Sequence, residues 1–125
     1  MAWIKFYGYD FTVEAYVYCK VAMEHKRTKD EAETEAYLAT DKLFDNLPEV
    51  TVEDVSVTGL KKERYFDIAE VKIGVKADVV AHNYEAAYRD AESAIRNVSL
   101  PVGVTIYEVD TYGFESDGER VVGER

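Results

Sequence analysis

The side chains best equipped for chemistry in this sequence are two histidines, His25 and His82, one cysteine, Cys19, and 25 aspartates and glutamates. A pair of histidines can move protons near neutral pH or hold a metal ion. Each one closes an apolar run and precedes a helical pattern, which would bring both to one sheet edge near the helix starts. There they would form a small anion or metal site, or stand as ordinary strand-end histidines. A metal site would also need carboxylates brought in by the fold. Cys19 sits between Val17 and Val21. Apolar neighbours raise a thiol's pKa, so it reads as a small core residue and not a nucleophile. No two carboxylates are marked by spacing as an acid–base pair sharing a cleft. The CxxC, HExxH, P-loop, GxGxxG, GxSxG and EF-hand patterns are all missing. The residues therefore assign no catalytic group, no metal ligand and no cofactor, and a protein that is not an enzyme is expected.

Charge says more. Asp and Glu number 25 against 15 Lys and Arg, a formal net charge of −10 and an isoelectric point near 4.6. Such a field repels nucleic acid and anionic membranes and favours basic partners. Acidity that only maintains solubility is the plain competing reading. A length of 125 residues suits one domain spanning 1–125. No run approaches the ~18 apolar residues of a membrane span. The start of the chain lacks the pattern of a secretion signal, and a single cysteine fits a reducing compartment, so a cytoplasmic protein is expected.

These residues are carried on an internal duplication. An offset of 55 places Phe11 on Phe66, Val13 on Ile68, Tyr16 on Val71, Thr28 on Asn83, Ala32 on Ala87 and Ala36 on Ala91. An offset of 54 then lays Val50–Gly59 over Val104–Gly113. The repeats cover about 11–59 and 66–113, leaving 114–125 as a polar tail. Each copy reads strand, helix, strand. Thr28 with Glu31 has capping-box spacing, and Asn83 is the second N-cap. Ala32, Ala36, Ala39 and Leu43 make one apolar helical stripe; Ala87, Ala91, Ala94 and Val98 make the other. Two such units give βαββαβ, an α+β sandwich with a four-stranded antiparallel sheet and both helices on one face.

In element order, residues 11–113 resemble the ferredoxin-like superfold, which hosts many unrelated functions. A phosphate site of the acylphosphatase type would need a glycine-bearing loop after the first strand, and Glu24–Thr28 has no glycine. The strand–helix–hairpin pattern over residues 16–80 is also distantly similar to dodecins. The tryptophan and glutamine that stack flavin in that family are not recognisable.

The two copies differ in charge, and that difference locates the candidate site. The outer face of the second helix balances Glu85 and Glu92 against Arg89 and Arg96 at helical spacing. The first helix collects Asp30, Thr34, Tyr37, Leu38, Asp41 and Asp45 on one face, with Glu31 and Glu33 at its flanks. Acidic charge around an aromatic anchor suits a basic, groove-like partner. A second acidic stretch includes Glu108 and Asp110. Together these residues predict a protein–protein interaction surface for a basic, nucleic-acid-binding partner, without direct binding of nucleic acid. In size and charge the chain is similar to small phage-encoded inhibitors, anti-CRISPR proteins among them. The alternative is an oligomeric or ligand-binding module that uses the tyrosine-bearing sheet face. Tyr16 and Tyr18 would lie there, covered by a second copy or by Trp3, Phe6 and Phe114.

Overall fold

The computed structural model describes the backbone of residues 5–124 and the side chains of 8–116. The elements run β1 (Lys5–Met23), α1 (Lys29–Thr40), β2 (Val50–Lys62), β3 (Asp67–Ala81), α2 (Tyr84–Arg96) and β4 (Val104–Glu124). Both helices start where a side chain can satisfy an orphan amide. Thr28 Oγ1 accepts from the Glu31 N–H at 3.2 Å, and Asn83 Oδ1 from the Ala86 N–H at 2.8 Å. The Glu31 carboxylate reaches back to the Arg27 N–H at 3.3 Å, one residue before the expected cap amide. The buried stripes are Ala32, Ala36 and Thr40 in α1 and Ala87, Ala91 and Ile95 in α2. Thr40 tolerates burial because its hydroxyl donates to the Ala36 carbonyl at 2.8 Å.

The four strands form one open antiparallel sheet in the order β2-β3-β1-β4. Alternation sorts the two central strands cleanly. Val13, Ala15, Val17, Cys19 and Val21 of β1, with Ala69, Val71, Ile73, Val75 and Ala77 of β3, are buried and face the helices. The residues between them point to the other, uncovered face. Alanine at the buried helix positions lets both helices sit close to the sheet; they share one core with these strands.

The outer strands do not alternate by two. β4 departs from its register with β1 at four places, leaving residues 107, 112, 117 and 122 without a partner in the ladder. β2 departs from β3 at two places, leaving 53 and 58. Each of these is a β-bulge, one extra residue that strengthens the local twist. The bulges recur every five residues, so inward positions follow steps of two and three: Val50, Val52, Val55, Val57, Leu60, and Val104, Ile106, Val109, Thr111, Phe114. This corrects the reading of 114–125 as a loose polar tail. Residues up to Glu124 continue β4, paired along β1 as far as Lys5.

The pairing also corrects the repeat register. An offset of 55 holds for the helices but would map inward residues of β1 onto outward residues of β3. Val50 faces Ala77 and its counterpart Val104 faces Val21, which sets the strand offset at 56, the separation of Val21 and Ala77. At that offset Glu14 matches Glu70, and the two acids take the same place. Each lies across from a strand glycine, Gly113 for Glu14 and Gly59 for Glu70, with added Cβ atoms reaching their carboxylates at 3.0 and 3.2 Å.

Candidate functional site

α1 presents its acidic side to solvent. Leu38 is 64% exposed and Tyr37 46%, a large apolar area to leave uncovered. Asp30 and Thr34 lie beside them, and Leu38, Thr34, Asp30, Glu31 and Glu35 border a shallow hollow. Lys26 neutralises Glu35 at 2.7 Å, but among the described residues no ion pair reaches Asp30, Asp41 or Asp45.

The helix stops earlier than a continuous acidic face requires. Thr40 is its last residue, Asp41 is the C-cap, and Asp45 stands on the turns that follow, exposed. Asp41 is unfavourably placed twice over. A carboxylate at a helix C-terminus opposes the macrodipole, no basic residue occupies the last turn, and its Oδ1 is buried without a hydrogen-bond partner. Glu33 is turned away from Leu38. It lines a cleft of about 380 Å³ between α1 and β2, where Lys29 approaches it at 3.7 Å. Arg27, Lys61 and Lys62 share that cleft.

Glu108 and Asp110 are on the other side of the molecule. They pair with Tyr18 and Tyr16 of β1 and lie on the uncovered face of the sheet, away from α1. One docking surface cannot use both acidic groups.

That uncovered face is built of tyrosines, lysines and carboxylates. The bulge positions 107 and 112 are both tyrosines. Tyr112 stacks on Tyr16 with ring centroids 4.6 Å apart, and Tyr107 leans on Tyr18 at 6.2 Å. Lys72 sits over the Tyr16 ring at 3.9 Å and Lys20 over Tyr107 at 5.1 Å, both in cation–π range. Burial among these neighbours, then the hydrogen bond to Tyr16, hold the Tyr112 hydroxyl above the usual phenol range. Phe114, expected to shield this face, lies on the helix side, stacked on Tyr84 at 5.4 Å and edge-on to Phe11 and Tyr88 at 5.7 Å. The bulge at 112 reverses its direction. Trp3 and the Phe6 side chain lie outside the described residues.

The histidines do not meet. β1 and β3 are antiparallel and each histidine follows its strand's end, so His25 and His82 stand at opposite ends of the sheet. His25 instead clamps the start of β3. Its Nδ1 lies 2.7 Å from Asp67 Oδ1 and its Nε2 3.2 Å from the Arg64 carbonyl, while Asp67 Oδ2 accepts from the Lys26 N–H at 3.0 Å. The Asp67 hydrogen bond, then that to Arg64, raise the His25 pKa above 6.5; the Lys26 amide, then His25, lower that of Asp67 below 3.8. A histidine pKa raised on folding adds stability below its unfolded value, and that stability fades as pH climbs through the folded value. The clamp therefore works between the lowered carboxylate pKa and the raised imidazole pKa. His25→Gln should lower Tm most near pH 5, with the deficit shrinking above 6.5; a pH-independent deficit in a thermal series would refute the clamp. Cys19 is fully buried, and burial pushes its thiol up to about 11, a structural residue as expected.

Among the described residues no cluster of three or more His, Cys, Asp or Glu is arranged to hold a metal ion, and no helix is long and apolar enough to cross a membrane. Comparison with protein-family models, with curated proteins and with solved structures returned no match for this chain.

Proposed function

We propose that this chain is a ferredoxin-like interaction module that docks the acidic side of α1 onto a basic partner protein. The fold reading rests on the strand order β2-β3-β1-β4 with a helix connecting each pair of strands that flank a third. One observation carries the functional reading: Leu38 and Tyr37 are exposed among aspartates that form no ion pair among the described residues. Asp41 supports it, because a residue kept where it opposes the helix dipole breaks a local rule, and such breaks concentrate at functional sites. In the sharpest form, Asp30, Asp41 and Asp45 stand in for backbone phosphates and occlude a nucleic-acid-binding site, as in the small acidic inhibitors of phage.

The test is capture of cytoplasmic nucleic-acid-binding proteins on immobilised protein, with competition by duplex DNA. The expected result is a basic partner displaced by DNA and by salt, with affinity reduced at least ~100-fold in the D30K/D41K/D45K variant. The E108K/D110K variant, altered on the opposite face, should bind as wild type. A partner held equally by all three proteins would overturn the assignment to α1.

A further inference from the structure

We infer that the uncovered sheet face is a self-complementary surface that pairs with a second copy of this chain about a two-fold axis. The outward residues of the two central strands face one another in register: Ala22 with Ile68, Lys20 with Glu70, Tyr18 with Lys72, Tyr16 with Gly74, Glu14 with Lys76, Thr12 with Asp78. Consider two sheets stacked face to face, related by a two-fold axis lying between them and running along the strands between β1 and β3. That operation places β1 of each copy over β3 of the other at the same level. Every cross-strand pair is then repeated between the copies.

The repeated pairs are favourable ones. Lys20 meets Glu70 and Glu14 meets Lys76, each occurring twice by symmetry. Tyr18 meets Lys72, a second cation–π pairing. Tyr16 comes over Gly74, beside the Asp54 carboxylate and the Tyr16 ring that already stand above that glycine. At the flanks Ser56 meets Glu108, and Asp54 meets Asp110 as the one like-charge contact. Packed sheets rotate by about 30°, which moves the flanks more than the centre, and long Lys and Glu side chains span the offset.

The size is sufficient. From Thr12 to Ala22 the face runs about 33 Å at ~3.3 Å per residue, and four strands at ~4.8 Å spacing give about 19 Å of width. Two such faces would bury about 1,300 Å² of accessible surface, within the ~1,200–2,000 Å² of stable specific interfaces. The polar character of the contact points to a reversible, concentration-dependent dimer and not to an obligate one. The dimer goes beyond the reading of α1: it leaves both acidic helices outward, on opposite sides of the pair.

Symmetry supplies a test that loss of folding cannot mimic. In a homodimer of the Lys20→Glu variant, the new carboxylate at position 20 opposes the Glu70 carboxylate at both symmetry-related contacts. In a homodimer of the Glu70→Lys variant, the new ammonium at position 70 opposes that of Lys20, again twice. Each single variant should sediment as a folded monomer. Mixed in equal amounts they should form a heterodimer, in which the altered position 20 of one chain meets the altered position 70 of the other, and the native Lys20 meets the native Glu70. Opposite charges thus meet at both contacts, and the K20E/E70K double variant should dimerise with itself for the same reason. Sedimentation velocity reads all five samples, wild type included, over a concentration series. A wild type that stays monomeric up to its solubility limit would overturn the inference. So would a dimer that survives both single variants, or single variants that fail to recover a dimer on mixing.

Discussion

Replacing Phe44 by alanine is expected to lower the unfolding free energy by about 3–5 kcal/mol, a large share of the ~5–15 kcal/mol available to a domain of this kind. Phe44 lies outside any helix or strand, in the turns between Asp41 and Asn46, yet only 2% of it is exposed. It belongs to the same core cluster as Ala36, Leu43, Val50 and the central strands. Backbone hydrogen bonds hold the turns around it: Asp41 N–H to Tyr37 O at 2.9 Å, Leu43 N–H to Thr40 O at 3.2 Å and Leu47 N–H to Phe44 O at 2.9 Å. A ring anchored in this way fixes the path from α1 into β2, and with it the places of Asp41 and Asp45. Urea titration reads the effect as a lower midpoint at unchanged slope. A loss under ~1 kcal/mol would mean that the turns close without the ring.

Gly103→Ala should be nearly as damaging, at about 2–4 kcal/mol, while Gly113→Ala should cost about 1 kcal/mol or less. Gly103 has φ +88°, a conformation that L side chains rarely adopt, and an added Cβ would lie 2.7 Å from the Ala22 carbonyl oxygen. That oxygen belongs to the backbone, and the adjacent Ala22 N–H donates to the Gly103 carbonyl at 2.8 Å, so neither side can retreat. At Gly113 the added atom meets only the Glu14 carboxylate at 3.0 Å, the end of a flexible side chain. Thermal unfolding of the two variants side by side tests the distinction. Equal losses would show that crowding of the sheet, and not the conformation of residue 103, sets the cost.

The helix starts, the alanine stripes and the inward and outward faces of β1 and β3 were legible because each follows one local rule. Thr28 and Asn83 are side chains that cap, and a run alternating by two has only one way to sit half-buried. The outer strands were harder, since a bulge shifts the phase and makes Tyr107, Tyr112 and Phe114 look irregular. The signal was present all the same, as apolar residues in steps of two and three in both halves of the chain. Positions 53 and 58 lie 54 residues before 107 and 112, and only the second pair is tyrosine. The candidate site was legible as composition but not as geometry. Charge counting gathers Glu33, Asp30, Glu108 and Asp110 into one acidic theme. The cleft beside β2 then claims Glu33, and strand pairing sends Glu108 and Asp110 to the far face. His25 and His82 failed for a related reason, because antiparallel strands carry equivalent ends of the two repeats apart.

The five-residue rhythm of β2 and β4 has one more effect, on what cannot add to this molecule. Both strands form the borders of the sheet, and an unpaired border is a template on which foreign strands assemble into fibrils. A straight incoming strand would keep step with β4 for only about four residues, roughly 14 Å, before the next bulge put its amides out of phase. Near pH 4.6 the net charge vanishes and electrostatic repulsion no longer keeps copies apart. Resistance to fibril growth at that pH then rests on backbone phase alone, and solutions of this protein should precipitate there, if at all, as amorphous and redissolvable material.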